Sequence, residues 1–114
     1  MNISAQSRKA GLLLTVEESR IDAASAVQFK DEMCRLAADE ACRIVLDLGR
    51  VDFLDSSGLG AIVGVMKLLG SDRRLELVAL SPNVAKVFRL TRMDTVFPIH
   101  TSVDEAFAGL EDVS

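Results

Sequence analysis

Arg43-Ile44-Val45-Leu46-Asp47-Leu48-Gly49, followed after a short connection by Phe53-Leu54-Asp55-Ser56-Ser57-Gly58-Leu59-Gly60, is the stretch that decides the fold. Its first half is a nearly continuous apolar run, as a central strand covered on both faces requires. Its second half switches to small and hydroxyl residues and then to a helical run opening at Ser56/Ser57 and reaching about Leu69. Gly70 is placed to end that helix. A buried strand that feeds a helix is the unit from which parallel sheets are built.

Upstream, residues 11–17 form a strand, and residues 2–7 its edge partner across a turn at Arg8-Lys9-Ala10-Gly11. From Ala24 the period changes: Ala26, Phe29, Met33 and Leu36/Ala37 mark an amphipathic helix ending near Glu40, started by Asp22 or Ser25. Downstream, Leu75–Leu80 is a strand. Ser81-Pro82 opens a helix with Val84, Val87 and Phe88 on one face. Residues 96–99 form a short extended piece that Pro98 confines to an edge. Thr101 or Ser102 caps a last helix whose face carries Val103, Ala106, Phe107 and Leu110. The expected order is β-β-α-β-α-β-α-β-α. That is an α/β fold with a mixed, mostly parallel sheet of four to five strands and about four helices, one domain over residues 1–114.

Composition narrows the function. The chain has 114 residues and a net charge of −4, with no basic stripe and no Trp or Tyr to stack bases, which argues against a nucleic-acid partner. Cys34 and Cys42 match neither a redox pair nor a zinc pattern, and are expected to be reduced, packed thiols. No secretory signal is visible. The apolar run from Leu59 to Gly70 is well short of the ~20 residues of a membrane helix. A cytoplasmic protein that does not insert in a membrane is expected.

The helix after Ser57 is apolar all round, so it is shielded by neighbours or presents part of its surface to a partner. Of its glycines, Gly64 is expected to pack on the sheet. Gly58 and Gly60 are expected to leave first-turn amides open.

Catalysis by the serines lacks a base, since the one histidine, His100, is far along the chain and reads as a solvated loop residue. Gly58-x-Gly60-x-x-x-Gly64 is out of register with the dinucleotide fingerprint, and no P-loop is present. Asp47, Asp52 and Asp55 need not converge on a metal. What remains is a capped helix start where a phosphate would be tolerated, because amides and dipole favour an anion there.

The stretch Phe53–Gly60 resembles the bacterial STAS-domain anti-sigma factor antagonists. Ile44–Leu48, Val51-Asp52, Ser81–Val84 and Val87–Leu90 fit the same pattern. The resemblance implies a non-enzymatic switch. Ser56 would be the phosphorylated residue, with its neighbour Ser57 as the helix cap and second-choice acceptor. Asp22, Ser25, Asp55, Ser57, Gly58, Leu59, Gly60 and Ile62 would meet the partner. That partner would be an anti-sigma factor that is also a serine kinase, bound only by the unphosphorylated form so that a sigma factor is freed. A serine phosphatase would reset the switch. ATP and magnesium would belong to the kinase, leaving this chain without a cofactor. The alternative is a STAS module of another kinase–phosphatase pathway or of a membrane transport system. Two departures stand out. The family's Gly-Glu-Leu-Asp reads Ser19-Arg20-Ile21-Asp22, and its Ser-Gly-Leu reads Thr91-Arg92-Met93.

Overall fold

The computed structural model describes residues 1–38 and 43–108. Strands β1 (Ile3–Arg8) and β2 (Gly11–Val16) form the expected hairpin, turning at Lys9-Ala10. β2 then pairs in parallel with β4 (Arg43–Asp47), β4 with β6 (Arg74–Val78), and β6 with the edge strand β7 (Ile99–His100). The five-stranded sheet runs β1-β2-β4-β6-β7, antiparallel only at β1. Two short strands, β3 (Arg20–Ile21) and β5 (Phe53–Leu54), add a separate parallel pair that the sequence pattern did not reveal. Two residues are too few to show a period, and β3 owes its existence to β5, whose register partners lie 33 residues further on.

The helices are α1 (Ala26–Leu36), α2 (Ser56–Leu69), α3 (Pro82–Leu90) and α4 (Val103–Phe107), with a 3-10 turn at Met93–Thr95. The last helical residue of α1 is Leu36. Glu40, Cys42 and Leu110, which carried sequence expectations, lie outside the described residues.

Strand alternation divides the core. Leu12, Leu14, Ile44, Leu46, Leu75 and Leu77 share one cluster with Phe29 and Met33 of α1, Ile62 and Val65 of α2, and Val84 and Phe88 of α3. Leu13, Val45 and Val78 point to the other face, where Ala106 and Phe107 of α4 cover them. So β4 is buried on both faces, as its unbroken apolar run required.

The opposite face also holds a buried carboxylate. Glu76 is 1% exposed and receives hydrogen bonds from Arg43 Nε (3.0 Å) and Nη2 (2.7 Å), and from Arg74. His100 Nε2 lies 2.8 Å from the same carboxylate. The expectation of a solvated loop histidine is therefore corrected: pairing of β7 with β6 brings His100 to an acid 24 residues away. Arg43 also donates to the Ala106 carbonyl, and its guanidinium lies 5.0 Å from the Phe107 ring centroid. α4 is thereby tied to the sheet.

Candidate functional site

Beyond the C-terminal ends of β2 and β4, the chain builds one surface from the β3–β5 pair, the turn after β3 and the start of α2. Both Asp52 and Phe53 donate their amides to the Ser19 carbonyl, at 2.9 and 3.2 Å, which zips the two loops together. The α3 start reinforces them. Ser81 caps α3 by accepting from the Val84 amide, while its hydroxyl donates to the Val51 carbonyl at 2.8 Å. Asn83 donates to the Asp52 carbonyl.

Asp55 organises the helix start. It is the N-cap: Oδ1 accepts from the Gly58 amide at 2.8 Å, satisfying one of the donors a helix start leaves open. Its Oδ2 accepts from the Ala23 amide at 3.1 Å, joining α2 to the turn before α1. The expectation that Ser57 caps the helix is corrected. Ser56 and Ser57 are the first two helical residues, both exposed, and among the described residues neither hydroxyl has a hydrogen-bond partner. Aspartate wins the cap because it precedes the helix with extended backbone, from which a short carboxylate reaches back over the first turn.

The glycines divide by role. A Cβ on Gly58 would stand 2.2 Å from the Ile21 carbonyl oxygen and 2.8 Å from Leu54 Cδ1. Gly58 is thus buried, with its amide already taken by Asp55, and does not leave that amide open. Gly60 has open space around its Cβ position and is exposed. A Cβ on Gly64 would stand 3.4 Å from Lys30 Cε of α1, so Gly64 faces that side chain and not the sheet as expected. Leu59 is partly buried against the core. Ile62 is fully buried, because its position on α2 faces the sheet, so it cannot touch a docked partner. The all-round apolar character of α2 is largely explained by shielding from the sheet and α1, although Leu68 stays 61% exposed.

The approach to α1 also differs from expectation. Ser25 occupies the cap position but makes no side-chain capping bond. Its hydroxyl instead accepts from the Asp22 amide at 3.1 Å and lies 3.2 Å from Asp22 Oδ1. Asp22 accepts further from the Ala24 amide and, through Oδ2, from Arg20 Nε at 3.1 Å. The hydrogen bond from Arg20 holds the Asp22 carboxyl below its usual range. So the structure brings Asp22, Ser25, Asp55, Ser56, Ser57, Leu59 and Gly60 to one surface, with Gly58 and Ile62 beneath it.

Asp47, Asp52 and Asp55 do not form a metal cage. Asp47 binds the Gly49 amide, Asp55 caps α2, and no group of three or more His, Cys, Asp or Glu side chains is placed to hold a metal among the described residues. Among those residues no helix is long and apolar enough to cross a membrane.

Sequence reasoning did not single out Arg20 and Phe53 as a pair. They are register partners, and the Arg20 guanidinium carbon lies 4.2 Å from the Phe53 ring centroid. Only the register of β3 against β5 reveals the contact.

A family model for the STAS domain matches residues 2–106. BtrV of Bordetella bronchiseptica, assigned to the anti-sigma factor antagonists, is 31% identical over 102 residues, covering 89% of this chain and 88% of BtrV. The crystal structure of an anti-sigma factor antagonist from Mycobacterium paratuberculosis superposes with a TM-score of 0.84 at 25% identity, covering 96% of this chain and 92% of that one. The Bacillus cell fate determinant SpoIIAA, in its phosphorylated form, shares the fold with a TM-score of 0.67 at 20% identity, over 93% of this chain and 96% of its own.

Proposed function

Because this chain belongs to the STAS domain family, we propose that it is an anti-sigma factor antagonist whose docking surface is gated by phosphate on Ser56. The unmodified chain binds an anti-sigma factor that is also a serine kinase, and so releases a sigma factor. The kinase brings its own ATP and magnesium and transfers phosphate to Ser56. A serine phosphatase removes it. The chain acts as a single binding domain in the cytoplasm, without catalysis or cofactor of its own.

One observation carries this reading: at the α2 start the cap is supplied by Asp55, which leaves the Ser56 hydroxyl exposed and uncommitted. A phosphate there would meet the amide end of α2, which favours an anion. It would add about −1.5 to −2 charge beside Asp55, on a chain of net charge −4, at the surface a partner must approach. Binding is the property that changes, because the α2 cap does not use the modified hydroxyl. BtrV and the Mycobacterium structure support the antagonist role, and phosphorylated SpoIIAA supports the gate.

The test is incubation with the kinase-type anti-sigma factor encoded in the same genome and ATP, followed by mass spectrometry. One phosphate is expected, absent in Ser56→Ala and retained in Ser57→Ala. Transfer to Ser57 alone would move the switch by one residue. No transfer and no binding with any such kinase would overturn the reading.

A further inference from the structure

The surface around Ser56 carries one group whose geometry points outward to a particular chemistry. Arg20 is held at two points: its guanidinium carbon sits over the Phe53 ring, 4.2 Å from the centroid, and Nε donates to Asp22 Oδ2 at 3.1 Å. A guanidinium has five N–H donors in a planar fork. Only Nε is used here, so among the described residues the two Nη groups keep their donors unfilled. The side chain is 57% exposed, yet its orientation is fixed by ring and carboxylate. Phe53 itself is 39% exposed at the end of a two-residue strand.

These two residues belong to the same rigid surface as Ser56. Gly58 at the α2 start touches the backbone of Ile21, the residue after Arg20, and Asp55 bonds the turn that follows. Arginine and aromatic side chains are the types that concentrate binding energy in protein interfaces. A preorganised fork that offers parallel N–H groups matches a carboxylate. A polyanion such as nucleic acid or an anionic membrane needs many cations, whereas Asp22, Asp52 and Asp55 on these same loops would repel it.

We propose that the Arg20–Phe53 stack sets the specificity of the docking surface, recognising a protein partner that places a carboxylate against Arg20 beside an apolar group covering Phe53. This rests on the reading that the Ser56 surface docks a protein partner.

The experiment measures by calorimetry the Kd of the full chain for the anti-sigma factor kinase encoded in the same genome. Arg20→Gln, Arg20→Glu and Phe53→Leu are compared with Lys9→Glu, which lies in the β1–β2 turn at the opposite end of the sheet. Arg20→Gln is expected to weaken binding about tenfold and Arg20→Glu about 100-fold, with Lys9→Glu within about twofold. Phe53→Leu should weaken binding about fivefold. A single Asp or Glu→Lys change on the kinase should restore binding to Arg20→Glu. Melting temperatures are recorded for each variant, and if Arg20→Glu melts early, Arg20→Gln decides. Wild-type binding that Arg20→Gln and Arg20→Glu leave unchanged overturns the specificity role and leaves the docking reading standing. Absence of wild-type binding overturns both.

Discussion

At the scale of single residues, the helix start separates structural from exposed groups within four positions. Asp55 holds the α2 cap and the Ala23 amide, whereas Ser57 makes neither bond. Asp55→Ala should therefore cost about 1–2 kcal/mol in chemical denaturation, and Ser57→Ala less than about 0.5 kcal/mol. The glycines give a second contrast. Gly58→Ala forces a methyl into the Ile21 carbonyl and should destabilise by about 1–3 kcal/mol or more. Gly60→Ala meets open space and should stabilise by up to about 1 kcal/mol. A third residue stands where the family has glycine. Arg92 sits at φ 63°, in the left-handed region, directly after Thr91 closes α3. The helix end survives the loss of glycine, but at a conformational cost, so Arg92→Gly should raise the melting temperature.

At the scale of elements, α4 and the edge strand β7 depend on Glu76. Burial is the largest influence on its carboxyl and alone would raise the pKa. The hydrogen bonds from Arg43 and His100, with the charge of Arg43 and the bond from Arg74, outweigh it and hold the value at about 2 against an ordinary 4.5. A folded-state value below the unfolded one means stability that is fully present above about pH 4.5 and is lost as the pH falls toward 2. Glu76→Gln would leave Arg43 largely buried without its counter-ion and should cost about 3–5 kcal/mol at pH 7. The difference in melting temperature between wild type and Glu76→Gln should then shrink from pH 4.5 downward. A difference that stays constant with pH would mean that the carboxylate is not held in its charged form. α2 carries the complementary lesson. Its apolar residues exceed one stripe because the sheet lies under it and α1 beside it, with Gly64 letting the Lys30 side chain come close.

At the scale of the whole molecule, the C-terminal ends of β2 and β4 carry a surface clamped by Ser19, Val51 and Asp52 backbone groups and by Ser81 and Asn83. The proposed phosphate on so constrained a surface is expected to act through charge and bulk and to leave the fold unchanged. Ser56→Asp should lower partner affinity by at least tenfold while shifting the melting temperature by no more than about 2 °C. A large drop in melting temperature would make Ser56 chiefly structural. The sequence by itself determined the alternation of strands and helices, because a period change at Ala24, a doubly buried run at Ile44–Leu48 and the Ser81-Pro82 helix start are written in local chemistry, whereas the choice of Ser102 over Thr101 as the last cap came from the structure. It also marked the loop at 55–60 as a helix start with exposed hydroxyls, since small and hydroxyl residues there break the apolar run of the preceding strand. Only the tertiary structure decided that Asp55 and not Ser57 caps α2, that Gly58 and Ile62 are buried beneath the exposed serines, that His100 meets Glu76, and that the Arg20 guanidinium lies over the Phe53 ring. Each of these is a contact between segments distant in sequence or a choice among adjacent competent side chains. Periodicity reports which way a residue faces, but the partner it meets is set by strand register and by how the loops close over one another.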